Sequence, residues 1–214
     1  MYESPKRFHI PKTFSGLIFP MFVKNENSEI SSIFSAIFLL LFSTYLAAPY
    51  FSVYILKDLK FDYVRYLTLS SVGQFLTWFL MKNWGEMLDR RGARYVLSYA
   101  FYFIPIVSLM WIFSRNFYYL AAVETFSGIA WGAYAAGSTT LIYEYVEPSL
   151  RTRYNSWLIF LASVAQFAGS IIGGFLYDRL EIFYAHPFLL LLAISTIGRL
   201  CALYMFKRIA HQKP

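Results

Sequence analysis

One cysteine stands in 214 residues, which excludes an intrachain disulfide framework and any multi-cysteine metal site. Cys201 lies in an apolar run, where a small buried residue is expected. Charge is also scarce: Asp, Glu, Lys and Arg make up 14% of the chain, against about 25% in a typical soluble domain. The three histidines, His9, His186 and His211, are far apart and near termini or a loop, so no metal site is expected. No GxxxxGK(S/T) element is present, so ATP is not the energy source within this chain. No cluster of acid–base or nucleophilic side chains points to an enzyme, and no cofactor is expected.

What the chain has is apolar surface. Hydrophobic residues are 58% and aromatics 21%, more than one soluble core can use. Six apolar runs follow one another, over residues 31–56, 66–81, 95–114, 116–143, 154–177 and 182–206. Each approaches the roughly 20 residues that a membrane helix needs. Backbone groups in lipid must be bonded within the segment, so the runs should be helices. They are continuous rather than alternating, which argues against a β-barrel. The expected fold is all-α: a polytopic membrane protein with six transmembrane helices over residues 31–206. Residues 1–30, broken by Pro5, Pro11 and Pro20, read as a linker or interfacial segment. Residues 207–214 read as a tail.

The formal charge of +7 does not imply nucleic acid, because the basic residues flank apolar runs. Thirteen of the 19 lie at 6–24, 82–94, 151–153 and 207–213, on one side of the expected membrane. Five lie opposite: Lys57, Lys60, Arg65, Arg115 and Arg179. The richer side is the cytoplasmic one. Both termini should therefore be inside, as an even number of spans also requires.

Between the second and third runs stands Gly85-Glu86-Met87-Leu88-Asp89-Arg90-Arg91-Gly92-Ala93-Arg94. In this loop Gly85 would let helices approach, Asp89 would cap a helix N-terminus, and Gly92 would permit a sharp turn. The segment resembles the GxxxDRxGxR signature of the major facilitator superfamily, found after the second helix of each six-helix half. Two further elements agree. One is Ser127 to Gly132, with Glu147 to Arg153 beyond it. The other is Gly169-Ser170-Ile171-Ile172-Gly173-Gly174, similar to the family's GPxxGG element with Ser170 in place of the proline. The resemblance covers the chain from about residue 30 and fits the C-terminal half best.

A typical member has twelve helices in two halves. The resemblance thus implies partners beyond the lipid bilayer: a small-molecule substrate, and an N-terminal six-helix half or a second copy. A fragment of a longer transporter is the expectation. It also implies residence in the cell membrane, with Gly85, Asp89, Arg90, Gly92 and Arg94 as a gating motif.

Candidate substrate or coupling residues are polar and aromatic groups in the expected spans, and the resemblance implies that the first and fourth helices of a half border the central cavity. Glu124 shares a helical stripe with Gly128, Trp131, Ala135 and Ser138. A carboxylate there is costly unless hydrated, protonated or paired. It is either a coupling or substrate-facing group, or an outer carboxylate paired with Arg115 or Arg179. Tyr50 and Tyr54 share a stripe of the first run with Ser43 and Ala47, beside Pro49. The resemblance implies that this helix lines the pathway, so Tyr50 and Tyr54 are candidate pore residues; the alternative, above all for Tyr54, is an interfacial aromatic belt. Gln74 and Gln166 are buried amides that could touch substrate or bond between helices. The resemblance implies that the sixth helix of a half sits outside the cavity, so Arg199 is expected to snorkel or bind a lipid phosphate rather than meet substrate. Glu144 is expected to pair with Arg90, Arg94, Arg151 or Arg153, with Arg151 and Arg153 completing a cytoplasmic latch. The glycine pairs read as packing surfaces.

These features point to secondary transport of a small solute by alternating access. The alternative is a non-transporting assembly or receptor protein built on the same bundle. A membrane-embedded enzyme is disfavoured by the missing acid–base cluster.

Overall fold

The computed structural model describes residues 28–183 and 187–211. Most of the linker expected over residues 1–30, and the tail beyond 211, lie outside them. Among the described residues there are no strands.

The first helix, α1, spans Ser28–Ala47. It continues through a 3-10 turn at Ala48–Tyr50, a short α-helical stretch at Phe51–Val53 and a π turn at Tyr54–Asp58. The change of winding falls at Pro49, whose ring nitrogen offers no proton to the preceding turn. Next come α2, Tyr63–Phe79, and α3, Met81–Arg91. They are followed by α4, Ala93–Phe113, and α5, Phe117–Tyr145. The last two are α6, Arg151–Phe183, and α7, Pro187–His211.

The starts of these helices have local causes. Asp62 caps α2 by accepting from the Arg65 N–H at 2.8 Å. Asn116 Oδ1 caps α5 by accepting from the N–H groups of Tyr118 and Tyr119 at 2.9 and 3.3 Å. Gly92 takes φ +82° between α3 and α4, a conformation that favours glycine.

Six spans were expected, and seven helices are found among the described residues, because the second apolar run breaks at Leu80 into α2 and α3. Four segments are long and apolar enough to cross a membrane: α1 with its continuation, α4, α6 and α7. The other two runs fall short for physical reasons. α2 has only 17 residues. α5 is long, at 29 residues, but is diluted by Gly, Ser, Thr and the two glutamates Glu124 and Glu144.

Packing places α1 between α6 and α7, joins α7 to α4 and α4 to α5, and seats α2 and α3 on α5. Small residues allow the close crossings. A Cβ on Gly128 would overlap the carbonyl of Gly73, so α2 and α5 meet backbone to backbone. The Thr77 hydroxyl lies 3.0 Å from the carbonyl oxygens of both Gly73 and Gly128, ready to donate. Gly169 and Gly173 of α6 likewise press on the carbonyls of Phe42 and Leu46 in α1. The expected glycine packing surfaces are therefore present.

Two apolar clusters fill the bundle. One, at the Gly92 end, includes Trp84, Leu97, Phe101 and Phe206. The other, at the opposite end, includes Tyr54, Trp111, Leu120 and Phe188.

Candidate functional site

α1, α2, α4, α5 and α7 line a cavity of about 570 Å³. It lies toward the end opposite Gly92, since its α4 wall comes from Ile104 to Trp111 in the second half of that helix. Hydroxyl groups come from Thr44, Ser52, Ser70, Ser108 and Ser127, and aromatic faces from Tyr45, Phe51, Tyr66, Trp111 and Trp131. Two charged residues line it, Glu124 from α5 and Arg199 from α7. The α1 wall contains Ala48 and Pro49, so the change of helical winding borders the cavity.

Glu124 sits on the inner face of α5, where Trp111 Nε1 donates to its Oε1 at 3.1 Å. This places the carboxylate at the cavity wall. The same carboxylate lies beside the α2 crossing, where a Cβ on Gly73 would come within 3.0 Å of Oε2. Trp131 lines the cavity, and its ring meets Tyr134 edge-on.

The other three candidates do not line it. Tyr50 stacks on Tyr177 of α6, with centroids 4.6 Å apart. Gln74 is exposed on α2, not buried as expected. Gln166 is partly buried on α6, and its carbonyl accepts from the Ser170 hydroxyl at 2.8 Å. Tyr54 is 2% exposed and stacks on Phe188 at 4.3 Å, so it belongs to the core and not to an interfacial belt.

The expected pore stripe of α1 was thus placed on the wrong face. Ser43 faces α7, where its backbone carbonyl accepts from the Ser195 hydroxyl. The wall is instead Thr44, Ala48 and Ser52, with Tyr45 beside them. Their spacing of four residues was a signal, but hydroxyl and small residues lie on both faces of this helix.

Arg199 does not snorkel. It is 5% exposed and lies at the cavity. The expectation failed because it rested on the usual place of a sixth helix, whereas Ser43 and Gly198 draw α7 tightly onto α1. A further hydroxyl pair joins α7 to α4. Thr196 donates to the Leu192 carbonyl at 2.8 Å and lies 2.6 Å from Ser108, leaving Ser108 as donor.

At the other end of the bundle the signature segment is mostly helix. Gly85 faces open space, with nothing within 4 Å of a Cβ built there, so it makes no close approach among the described residues. Asp89 and Arg90 are exposed in the last turns of α3, and Asp89 is not a helix N-cap. That role falls to Glu144, whose Oε1 accepts from the Ala93 N–H at 2.8 Å. Glu144 therefore holds the α4 backbone in place of the expected arginine. Arg94 pairs with Glu29 at the start of α1. Arg151 donates to the carbonyls of Val146 and Tyr143 at 3.1 and 2.9 Å. Arg153 is partly buried, and its Nε has no hydrogen-bond partner among the described residues.

The Major Facilitator Superfamily profile matches residues 33–214, most of the chain, from within α1 through α7. The chain belongs to the Major Facilitator Superfamily. It is accordingly an integral, multi-pass membrane protein of a transport family rather than an enzyme. It is also similar to a gallate transporter of Pseudomonas putida, 39% identical over 92 residues. That alignment takes in 43% of this chain and 20% of the relative, so the chain spans a minor part of the relative it matches. As a superfamily member the chain keeps the signature's glycine turn at Gly92, and the basic residue at Arg94 ties α4 to α1.

Proposed function

We propose that this chain forms six membrane-crossing segments of a secondary transporter, with α2 and α3 acting as one span and α5 as another. The solute is small and organic, and transport is by alternating access against a second bundle. That bundle is an N-terminal half or another copy of this chain. The 13-to-5 distribution of basic residues supports termini and a Gly85–Arg94 segment on the cytoplasmic side of the cell membrane. Similarity to a gallate transporter supports an aromatic solute, as do the aromatic walls of the cavity.

The observation that carries this reading is Glu124 held by Trp111 at the wall of an intramembrane cavity. An intramembrane carboxylate facing a cavity is the means by which a proton or cation is coupled to solute movement. Glu124→Gln keeps the volume and the bond from Trp111 but fixes a neutral state. In proteoliposomes holding the chain with its partner bundle, this variant should lose gradient-driven accumulation while keeping solute exchange. Undiminished proton-driven accumulation would remove Glu124 from coupling.

A further inference from the structure

Arg199 is the cavity's second charge. It is the thirteenth of the 25 residues of α7, the middle of a segment apolar enough to cross a membrane. It is 5% exposed, and its Nε has no hydrogen-bond partner among the described residues. A guanidinium stays protonated inside proteins, so burying one calls for an anion and for acceptors matched to its planar fork. Glu124 lines the same cavity, but Trp111 bonds to it, and among the described residues no ion pair joins it to Arg199.

The surroundings of Arg199 narrow what the anion is. Ser108 provides a hydroxyl beside α7, where it pairs with Thr196, and Thr44 provides one on the α1 wall, while Tyr45, Trp111 and Trp131 provide flat apolar faces. The volume of about 570 Å³ suits a small molecule. Such a site recognises a planar body carrying one carboxylate, which a guanidinium engages through two parallel bonds.

We infer that Arg199 is the anion-binding residue of the cavity and that the solute is a small organic carboxylate. This rests on the cavity being the transport site. With Glu124 neutral, a bound carboxylate balances Arg199, so solute and coupling proton enter as a pair without net charge.

The test is equilibrium binding, not transport. The purified full chain in detergent is titrated calorimetrically with gallate and with its uncharged amide, 3,4,5-trihydroxybenzamide. The wild type should bind gallate about tenfold or more tightly than the amide, the size expected of a charge-assisted bond. Arg199→Gln should erase that gap through loss of gallate binding, and Arg199→Lys should keep part of it. Equal binding of the two compounds by the wild type, or no binding of either, overturns the inference. So does a gap that survives in Arg199→Gln. Should Arg199→Gln fail to elute as a single species, Arg199→Lys decides: a narrowed gap supports the role, and an unchanged gap overturns it. A gap in binding without any transport by the reconstituted assembly would count against the transport reading alone.

Discussion

At the scale of the residue, the same side chain type does opposite things at two places in this chain. Gly128 sits where a Cβ would overlap the Gly73 carbonyl, and Gly85 sits where a Cβ would meet nothing. Gly128→Leu should therefore force α2 off α5 and cost about 2–3 kcal/mol, the range for overpacking a close contact. Gly85→Leu should leave the isolated chain within about 0.5 kcal/mol of wild type. Denaturant unfolding in micelles, followed by tryptophan fluorescence, measures both. Equal losses would show that the α2–α5 crossing is looser than described. The sequence disclosed Gly128 as a packing residue because Gly128 and Gly132 repeat at helical spacing. It misplaced Gly85, because a motif tells which residue is small but not whether its neighbour lies in the same chain.

Charged residues were legible to different degrees for a related reason. Glu124 stood out because a carboxylate in an apolar run has few uses, and the structure sets it at the cavity. Arg199 stood out equally, but its long stem allows it to point either inward or toward the membrane surface. Only the packing of α7 on α1 and α4 decides between them. Trp111, the donor to Glu124, was hidden among five tryptophans in a chain rich in aromatic residues.

At the scale of the element, the junction of α3 and α4 is built from two parts that lie far apart in sequence. Gly92 supplies the turn, and Glu144, at the far end of α5, supplies the cap for Ala93. Glu144→Ala should expose the first turn of α4 and cost about 1 kcal/mol, the usual loss of a helix cap. Glu144→Gln should lose less, because its amide oxygen still accepts. Hydrogen exchange at the Ala93 amide, with thermal unfolding alongside, checks this. Unaltered exchange in the alanine variant would mean that the bond is not made in the membrane. Asp89 was the reasonable sequence choice for a cap, being local and acidic. A cap supplied by another helix leaves no local pattern to find.

The helices themselves were legible where apolar runs were long and bounded, as in α4 and α6. Their facing was not. α1 has no charged residue from Ile30 to Leu56, so nothing polar marks one side as inner. Thr44 and Ser43 are neighbours, yet one lines the cavity and the other meets α7. Pro49 was a visible break, but the π turn that follows it leaves no comparable mark in the sequence.

At the scale of the whole molecule, the charge distribution makes one firm demand on orientation. In a Cys201→Ser background, a cysteine at Arg91 should be shielded from impermeant reagents added outside cells, and one at Lys60 should react. The reverse pattern would invert the bundle and place the exposed Asp89 and Arg90 outside. Cys201 must be removed first because it is itself exposed on α7.

The order of packing also differs from the order of synthesis. α4 and α5 are consecutive in the chain and lie together, whereas α1 rests on α6 and α7. At a ribosomal pace of about 5–20 residues per second, roughly 5–20 s pass between completion of α1 and the start of α6. During that wait α1 must reside in lipid without its final neighbours. Its own hydroxyls make this tolerable, since Ser35 donates to the Ser31 carbonyl at 3.0 Å and Thr44 to that of Leu40 at 2.8 Å. α6 and α7, made after α1, are thus the ones that close the structure around it.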